Sequence, residues 1–217
     1  MKTKKNLIFV IIRAVLLIAM FVFSPVMSIQ TYAEVLAYGD FEYCVETNDE
    51  IVILGYNGSA TSVTIPETID GKKVTQIGSC AFEEMDIVNV TLPDSITKIN
   101  YKAFAKCKKL ETINFPDSLI VIGESSFASC KSLKEIKFGN QIESMGYCAF
   151  QLCISLTEIT VPGTIKNIPD HAFQGCSSLN TLIFEEGVTS IEETAALNMF
   201  SIEKIVIPKS VTEIGDH

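Results

Sequence analysis

Tryptophan is absent from the 217-residue chain, and histidine occurs only twice, as His171 and His217. None of the seven cysteines forms a C-x-x-C pair, the spacing from which structural zinc sites commonly draw two ligands. The two histidines are far apart, and the acidic residues beside the predicted strands do not form the Asp-rich loop of a calcium site. These absences predict a protein without a metal site or a cofactor.

Basic residues are also scarce. The chain has 17 Lys and Arg against 26 Asp and Glu, and four of the basic residues lie in the first 33 positions. Without that segment, 13 basic side chains stand against 26 acidic ones, a net charge of about −13. Nucleic acids and anionic membrane surfaces are bound through clustered Lys and Arg, so we expect neither as a partner.

Residues 1–33 are predicted to be a signal peptide. Three lysines precede an apolar run at positions 7–23, which only Arg13 interrupts, and small residues follow it. This is the order of the charged, apolar and cleavable regions of a secretory signal. Cleavage after Ser28 and cleavage after Ala33 both fit, and an uncleaved anchor helix is the alternative, because such a helix needs roughly 17 or more apolar residues. The segment predicts a secreted or cell-surface protein.

A period of 23 residues organises the rest of the chain. Each coil follows the pattern L-x-x-I-x-F/V-P-x-x-I-x-x-I-G-x-x-A-F-x-x-C-x-x, and a fixed period of this length predicts a solenoid of stacked coils. The clearest columns, with one residue from each coil, are Phe104, Phe127, Phe150 and Phe173; Cys107, Cys130, Cys153 and Cys176; Leu110, Leu133, Leu156 and Leu179; and Ile113, Ile136, Ile159, Leu182 and Ile205.

Each part of the coil has a predicted conformation. The L-x-x-I-x-F stretch spaces its last two apolar residues two apart, which predicts a short parallel strand, and proline ends it because proline lacks a ladder donor. The G-x-x-A-F-x-x-C-x-x-L stretch spaces apolar residues three apart, which predicts about two turns of helix. One coil leaves most of its apolar surface exposed, so stability depends on the interfaces between neighbouring coils.

The pattern resembles the BspA-like class of leucine-rich repeats over roughly residues 60–217. The resemblance implies a leucine-rich-repeat solenoid, a right-handed α/β-type superhelix with a parallel β-sheet on one face and short helices or turns on the other. It also implies adhesion to host proteins or other cells, which is the role known for members of this class.

Three segments make up the predicted domain organisation: the signal peptide (1–33), an N-terminal β cap (34–62) and a repeat array of about six to seven coils (63–217). Strand patterns at 41–45 and 51–54 support the cap. Five additional residues around Asp70-Gly71 predict a hairpin-like bulge in the first full coil. In the coil where Ala196 takes the phenylalanine position, we expect Leu197 or Phe200 to fill the gap.

The last coil is incomplete and leaves the open edge of a parallel sheet. An abrupt native end, a covering partner chain and a fragment of a longer protein are the three alternatives. An open edge offers unpaired backbone groups. If a partner chain covers this edge, we expect a second copy of the same chain to pair with it edge to edge.

The seven cysteines predict buried thiols rather than disulfides. Four of them form one repeat column beside phenylalanine and leucine, and side chains stacked in parallel seldom reach disulfide geometry. A bridge between Cys44 and Cys80 is an alternative for the remaining cysteines. His171 and Cys176 are close in sequence, but His171 takes a variable outward position while Cys176 takes a core position, so no catalytic pair is expected.

The outer side of the parallel sheet is the predicted binding surface for a protein or glycan ligand. Strand alternation directs two columns outward, and Ile183 with Val206 forms the apolar spot among them. The predicted surface residues are Asn89, Thr91, Thr112, Asn114, Glu135, Lys137, Glu158, Thr160, Thr181, Ile183, Lys204 and Val206.

Three classes of function follow. We predict a non-enzymatic interaction module that binds protein or adheres to host or other cells. The first alternative is a structural repeat segment of a longer multi-domain surface protein. A hydrolase is the remote alternative, because no nucleophile, base and oxyanion donors converge in the sequence.

Overall fold

A computed structural model describes residues 34–216, so the predicted signal peptide lies outside the described residues. This part of the chain forms a β-solenoid of about seven turns and contains no α-helix. No helix of membrane-spanning length and hydropathy occurs in it either. Its strands are β1 (Leu36–Tyr38), β2 (Phe41–Val45), β3 (Ile51–Tyr56), β4 (Ser62–Thr64), β5 (Thr68–Ile69), β6 (Lys72–Ile77), β7 (Asn89–Thr91), β8 (Lys98–Ile99), β9 (Thr112–Ile113), β10 (Val121–Ile122), β11 (Ser144–Met145), β12 (Glu158–Val161), β13 (Asn167–Ile168), β14 (Thr181–Phe184), β15 (Ser190–Ile191), β16 (Lys204–Val206) and β17 (Glu213–Ile214).

The N-terminal strands form an antiparallel unit that leads into the coils. Strands β1, β2 and β3 pair antiparallel in order, and β3 then pairs in parallel with β6 of the first full coil. The Asp70-Gly71 insertion is the tip of the β5–β6 hairpin, as expected. Both tip residues have positive φ (50° and 78°), the geometry of a type I′ turn.

Two faces of the solenoid are parallel sheets. The front sheet contains β4, β7, β9, β12, β14 and β16, and the back sheet contains β3, β6, β8, β10, β11, β13, β15 and β17. Neighbours in the repeat array pair in strict register, for example Ile159 with Leu182, which follows it by one repeat. The register therefore superimposes the apolar columns of successive coils.

Turns, not helices, carry the A-F-x-x-C part of each coil. The Phe104 N–H donates to the Ser126 carbonyl of the next coil (2.8 Å), and the Cys107 N–H donates three residues back to Phe104 (3.2 Å). Lys102 and Lys106 have positive φ (52° and 60°), and so do the corresponding residues of the other coils, except Thr194. A helix requires negative φ and bonds four residues back. The expected two turns of helix are therefore wrong, and the predicted alternative of turns is correct.

The core is the set of stacked columns that the repeat predicts. The column phenylalanines are fully buried, and Phe104, Phe127 and Phe150 stack with ring centroids 5.4 and 5.3 Å apart. The column ends at the Ala196 coil, where Leu197 is half-buried and Phe200 is 83% exposed, so Phe200 does not fill the gap.

The final described coil leaves its column residues exposed. Ile205 and Ile207 are each 48% exposed and Ile214 is 59% exposed, whereas the equivalent residues of interior coils are buried, except the half-buried Phe138. Burial of these columns therefore depends on a coil stacked on each side.

Each sheet is interrupted once, the front sheet between β9 and β12 and the back sheet between β11 and β13. In the front sheet, the Asn114 side chain accepts a hydrogen bond from the Leu92 N–H (2.7 Å) and donates one to the Leu92 carbonyl (2.8 Å). The side chain thus takes the place of the Asn114 backbone in the hydrogen-bond ladder between β9 and β7. In the back sheet, Pro169 takes the position from which Gly146 donates to Ile122 (2.8 Å), and proline has no N–H to donate. The missing donor accounts for the break between β11 and β13, whereas the Asn114 bonds face β7 and lie on the other side of β9 from the front-sheet break.

Candidate functional site

The twelve predicted surface residues lie on the outer side of the front-sheet face, and none of them is buried. Strand β14 shows the alternation behind this arrangement: Leu182 and Phe184 are buried, whereas Thr181 and Ile183 are partly exposed. The sequence therefore placed these side chains correctly, and their role in binding stays a prediction.

Side-chain hydrogen bonds cross the N-terminal part of this face. The Thr112 hydroxyl donates to Asn89 Oδ1 (2.6 Å), and Asn89 Nδ2 donates to the Ser62 hydroxyl (3.1 Å). Asn114 is held by the Leu92 backbone, as described above. These side chains bond to neighbouring coils, so they have less hydrogen-bonding capacity left for a partner.

A groove of about 430 Å³ lies at the interruption of the front sheet. The segment that contains Glu135 and Lys137 forms no strand there, although its neighbours on both sides do. The groove has an apolar floor and polar walls, and its lining residues are Ile136, Phe138 and Pro162 together with Glu135, Lys137, Asn140, Glu158, Thr160 and Glu185. It brings together four of the predicted residues, namely Glu135, Lys137, Glu158 and Thr160.

The groove carries net negative charge. Three carboxylates, those of Glu135, Glu158 and Glu185, surround one ammonium group, that of Lys137. Lys137 Nζ lies 3.2 Å from Glu135 Oε2, but both side chains are more than half exposed, so the ion pair contributes little to stability. A partner that binds here needs polar or basic groups at its rim.

An apolar spot lies on the C-terminal side of the groove. Ile183 is paired in register with Thr160 on one side and with Val206 on the other. Val206 is 36% exposed, and Ile183 is half-buried. Thr160 lines the groove and pairs with Ile183, so groove and spot adjoin and combine apolar residues with polar ones, as protein interfaces do.

Five groove residues were not predicted as site residues: Ile136, Phe138, Asn140, Pro162 and Glu185. One signal in the sequence marks this region. Gly139 and Glu185 take the position that proline holds in the other coils of the front sheet. This departure from the repeat can be read from the sequence. The groove itself forms only when the coils stack, so its shape could not be predicted.

The column cysteines are buried hydrogen-bond donors. Each Sγ lies 2.9 to 3.3 Å from a phenylalanine carbonyl oxygen of the preceding coil, in the pairs Cys107 with Phe82, Cys130 with Phe104, Cys153 with Phe127, and Cys176 with Phe150. Burial raises the pKa of the Cys107 and Cys176 thiols to about 12. A thiolate is the reactive form, so these thiols are poor nucleophiles.

No disulfide forms among the seven cysteines, and the alternative bridge between Cys44 and Cys80 is not present. His171 and Cys176 do not form a pair: Cys176 is fully buried, while His171 Nδ1 lies 2.7 Å from the Thr194 hydroxyl and its ring packs edge-on against Tyr147. Residues 34–216 also contain no group of three or more potential metal ligands.

A second groove, of about 550 Å³, lies on the back-sheet side near the C-terminal end of the described chain. Its walls include Asp170, Glu192, Glu193 and Glu213. The Asp170 carboxylate is occupied within the protein, because it accepts a hydrogen bond from the Thr194 N–H (3.0 Å). This groove was not predicted, and part of its polar surface serves to join adjacent coils.

Stacked parallel coils with a 23-residue register and an exposed strand face define a leucine-rich repeat protein. The sequence profile described as the BspA type Leucine rich repeat region matches residues 55–153 and 97–217, with six copies of the repeat. The chain belongs to this family. No curated protein matches the sequence significantly.

Crystal structures of bacterial leucine-rich repeat proteins share the fold. The T. pallidum leucine rich repeat protein has 29% identity and a TM-score of 0.79, covering 84% of this chain and 86% of that one. A leucine rich cell surface protein from Faecalibacterium prausnitzii has 26% identity and a TM-score of 0.75, covering 85% and 51%. A Bacteroides ovatus leucine-rich repeat protein has 25% identity and a TM-score of 0.68, covering 83% and 55%. The chain thus spans about half the length of the last two.

Proposed function

We propose that this chain is a secreted or cell-surface interaction module, without enzymatic activity, that binds a protein ligand through the front sheet. The observation that carries the proposal is the groove beside the Ile183 and Val206 spot, because apolar residues bordered by polar ones suit a protein partner. The signal-like segment at residues 1–33 and the description of the F. prausnitzii relative as a cell surface protein support the location.

Adhesion to host or other cells is the biological role that we infer for this binding. The buried, protonated column thiols and the separation of His171 from Cys176 favour binding over catalysis. A stack of coils buries its side chains between neighbours and presents a long, rigid face, which favours recognition of another macromolecule over enclosure of a small substrate.

The test is a solid-phase binding assay of residues 34–217 against purified extracellular matrix proteins and intact host cells. A triple variant with Thr160, Ile183 and Val206 changed to Glu should lose binding, because it places three charges on the proposed contact surface. The matched control changes the exposed residues Thr164, Ser178 and Ser201 to Glu, which adds the same charge elsewhere. Equal binding by the two variants would contradict the proposal.

A second role is favoured by one observation: the chain spans about half of two of the related structures. In this role the coils form a structural segment of a longer surface protein whose ligand site lies in another part. Residues 34–217 would then bind none of the ligands in the assay, whereas a longer natural chain, if one exists, would bind them.

A further inference from the structure

Two exposed tyrosines share a repeat column outside the front sheet. Tyr101 follows β8 and Tyr147 follows β11, so both lie where the back sheet passes into the turn segments. They are 42% and 43% exposed. Glu124 is the residue of this column in the coil between them, and it is also exposed. We call Tyr101, Glu124 and Tyr147 the tyrosine column.

Backbone hydrogen bonds fix the spacing of the tyrosine column. The Lys102 N–H donates to the Glu124 carbonyl (2.9 Å), and the Ser125 N–H donates to the Tyr147 carbonyl (2.8 Å). Each coil is therefore joined to the next at this column. Two steps at the usual strand spacing separate the tyrosine backbones by about 10 Å, which is close to the length of a disaccharide unit in an extended polysaccharide.

Each tyrosine ring is held by a neighbouring side chain. Lys102 Nζ lies 5.0 Å from the centroid of the Tyr101 ring. The His171 ring packs perpendicular to Tyr147 with centroids 4.9 Å apart, and the Thr194 hydroxyl lies 2.7 Å from His171 Nδ1. Rings that are held in this way lose little conformational entropy when a ligand stacks on them.

The groups around the rings favour an uncharged, hydroxyl-rich ligand. The Glu124 carboxylate stands between the two tyrosines and can accept hydrogen bonds from hydroxyl groups. The Asp170 side chain occupies the next position of the repeat column after Tyr147. The carboxylates of Glu124 and Asp170 outnumber the Lys102 ammonium along this line, so its net charge is negative and repels an anionic polymer.

From this arrangement we propose that the tyrosine column binds a neutral polysaccharide, with alternate sugar rings stacked on Tyr101 and Tyr147 and an intervening hydroxyl bonded to Glu124. The apolar faces of pyranose rings pack on aromatic rings, while their hydroxyls bond to polar neighbours. A protein hot spot instead needs a desolvated apolar centre, and the position between these tyrosines holds a charged side chain. The site is distinct from the front sheet and independent of the protein binding proposed there.

Affinity electrophoresis tests the proposal, with residues 34–217 run in gels that contain a soluble β-1,4-glucan, a β-1,3-glucan or an α-mannan. Heparin serves as the anionic comparison. Tyr101→Ala and Tyr147→Ala should each weaken retardation by at least about tenfold, because each removes one stacking platform. Tyr101→Phe and Tyr147→Phe should retain it, since they keep the ring. The matched control is Tyr38→Ala, at a tyrosine that is 47% exposed in β1, outside the column.

Because the chain contains no tryptophan, tyrosine fluorescence gives a second readout, and a thermal melt of each variant verifies folding. The expected result is retardation by at least one neutral polysaccharide, reduced by the two alanine variants but not by Tyr38→Ala. The front-sheet triple variant should bind the polysaccharide normally. The proposal is overturned if no neutral polysaccharide retards the protein, or if heparin retards it more strongly than the neutral polysaccharides do. It is also overturned if Tyr101→Ala and Tyr147→Ala bind polysaccharide normally, or if these two variants lose only the binding of a protein ligand.

Discussion

Replacing Cys107 with alanine tests how much the cysteine column contributes to stability. The thiol is fully buried, and its Sγ lies 2.9 Å from the Phe82 carbonyl oxygen. Loss of a buried hydrogen bond costs about 1 kcal/mol, and loss of the packed sulfur atom costs about 1 kcal/mol more. Near pH 7 we therefore expect Cys107→Ala to lower the free energy of unfolding by about 2 kcal/mol.

The same thiol makes this loss depend on pH. Burial raises the pKa of Cys107 from 9.0 to about 12, so at pH 10 the thiol is ionised in the unfolded chain but still protonated in the native one. A group with a raised folded pKa stabilises fully below its unfolded pKa, and this stability is lost as pH rises toward the folded value. One pH unit above the unfolded pKa removes about 1.4 kcal/mol. The difference between the native protein and Cys107→Ala should then shrink to about 0.6 kcal/mol at pH 10.

Urea unfolding followed by circular dichroism at pH 7 and pH 10 measures both differences. Cys80→Ala is the matched control, because Cys80 is partly exposed and its replacement should cost less at pH 7. Alkylation followed by intact mass measurement gives a second readout, in which the column thiols react only on unfolding. A difference between native protein and Cys107→Ala that is the same at both pH values would refute the buried, protonated thiol.

Two further predictions concern backbone packing and the open end. A Cβ added to Gly163 would overlap the Glu186 carbonyl oxygen. Gly163→Ala should therefore lower the free energy of unfolding, measured by denaturant titration, by about 3 kcal/mol. A loss below about 1 kcal/mol would contradict this close approach. If the exposed edge of β16 drives self-association, sedimentation velocity of residues 34–217 should show a concentration-dependent dimer that Ile205→Lys abolishes, whereas a monomer at all concentrations would contradict the edge pairing.

The repeat period predicts the core well because burial depends on side-chain identity at fixed spacing. Every residue of the phenylalanine, cysteine and leucine columns that begin at Phe104, Cys107 and Leu110 is fully buried. The same spacing of apolar residues led to the incorrect prediction of a helix. Apolar residues three apart fit a chain of turns as well as a helix. Of the repeat positions with positive φ, only Gly175 holds glycine, and the others hold residues such as Lys102 and Ser125. Nothing in those side chains indicates left-handed backbone.

The candidate site was predictable in position but not in shape. Strand alternation identifies the outward columns, since neighbouring residues of a strand point to opposite faces. The groove forms where residues 135–138 make no strand although the neighbouring coils on both sides do, and this shape depends on how the coils stack. In the back sheet, Pro169 marks the break in the sequence itself, because its missing N–H leaves a gap in the ladder whatever its surroundings.

Hydrogen-deuterium exchange of residues 34–217, with and without a protein ligand identified in the binding assay, tests the central claim most directly. We predict slower exchange at the groove and along β12, β14 and β16, with the turn segments unchanged. Protection confined to the turn segments, or absent from residues 135–160, would contradict the assignment of the front sheet as the binding surface.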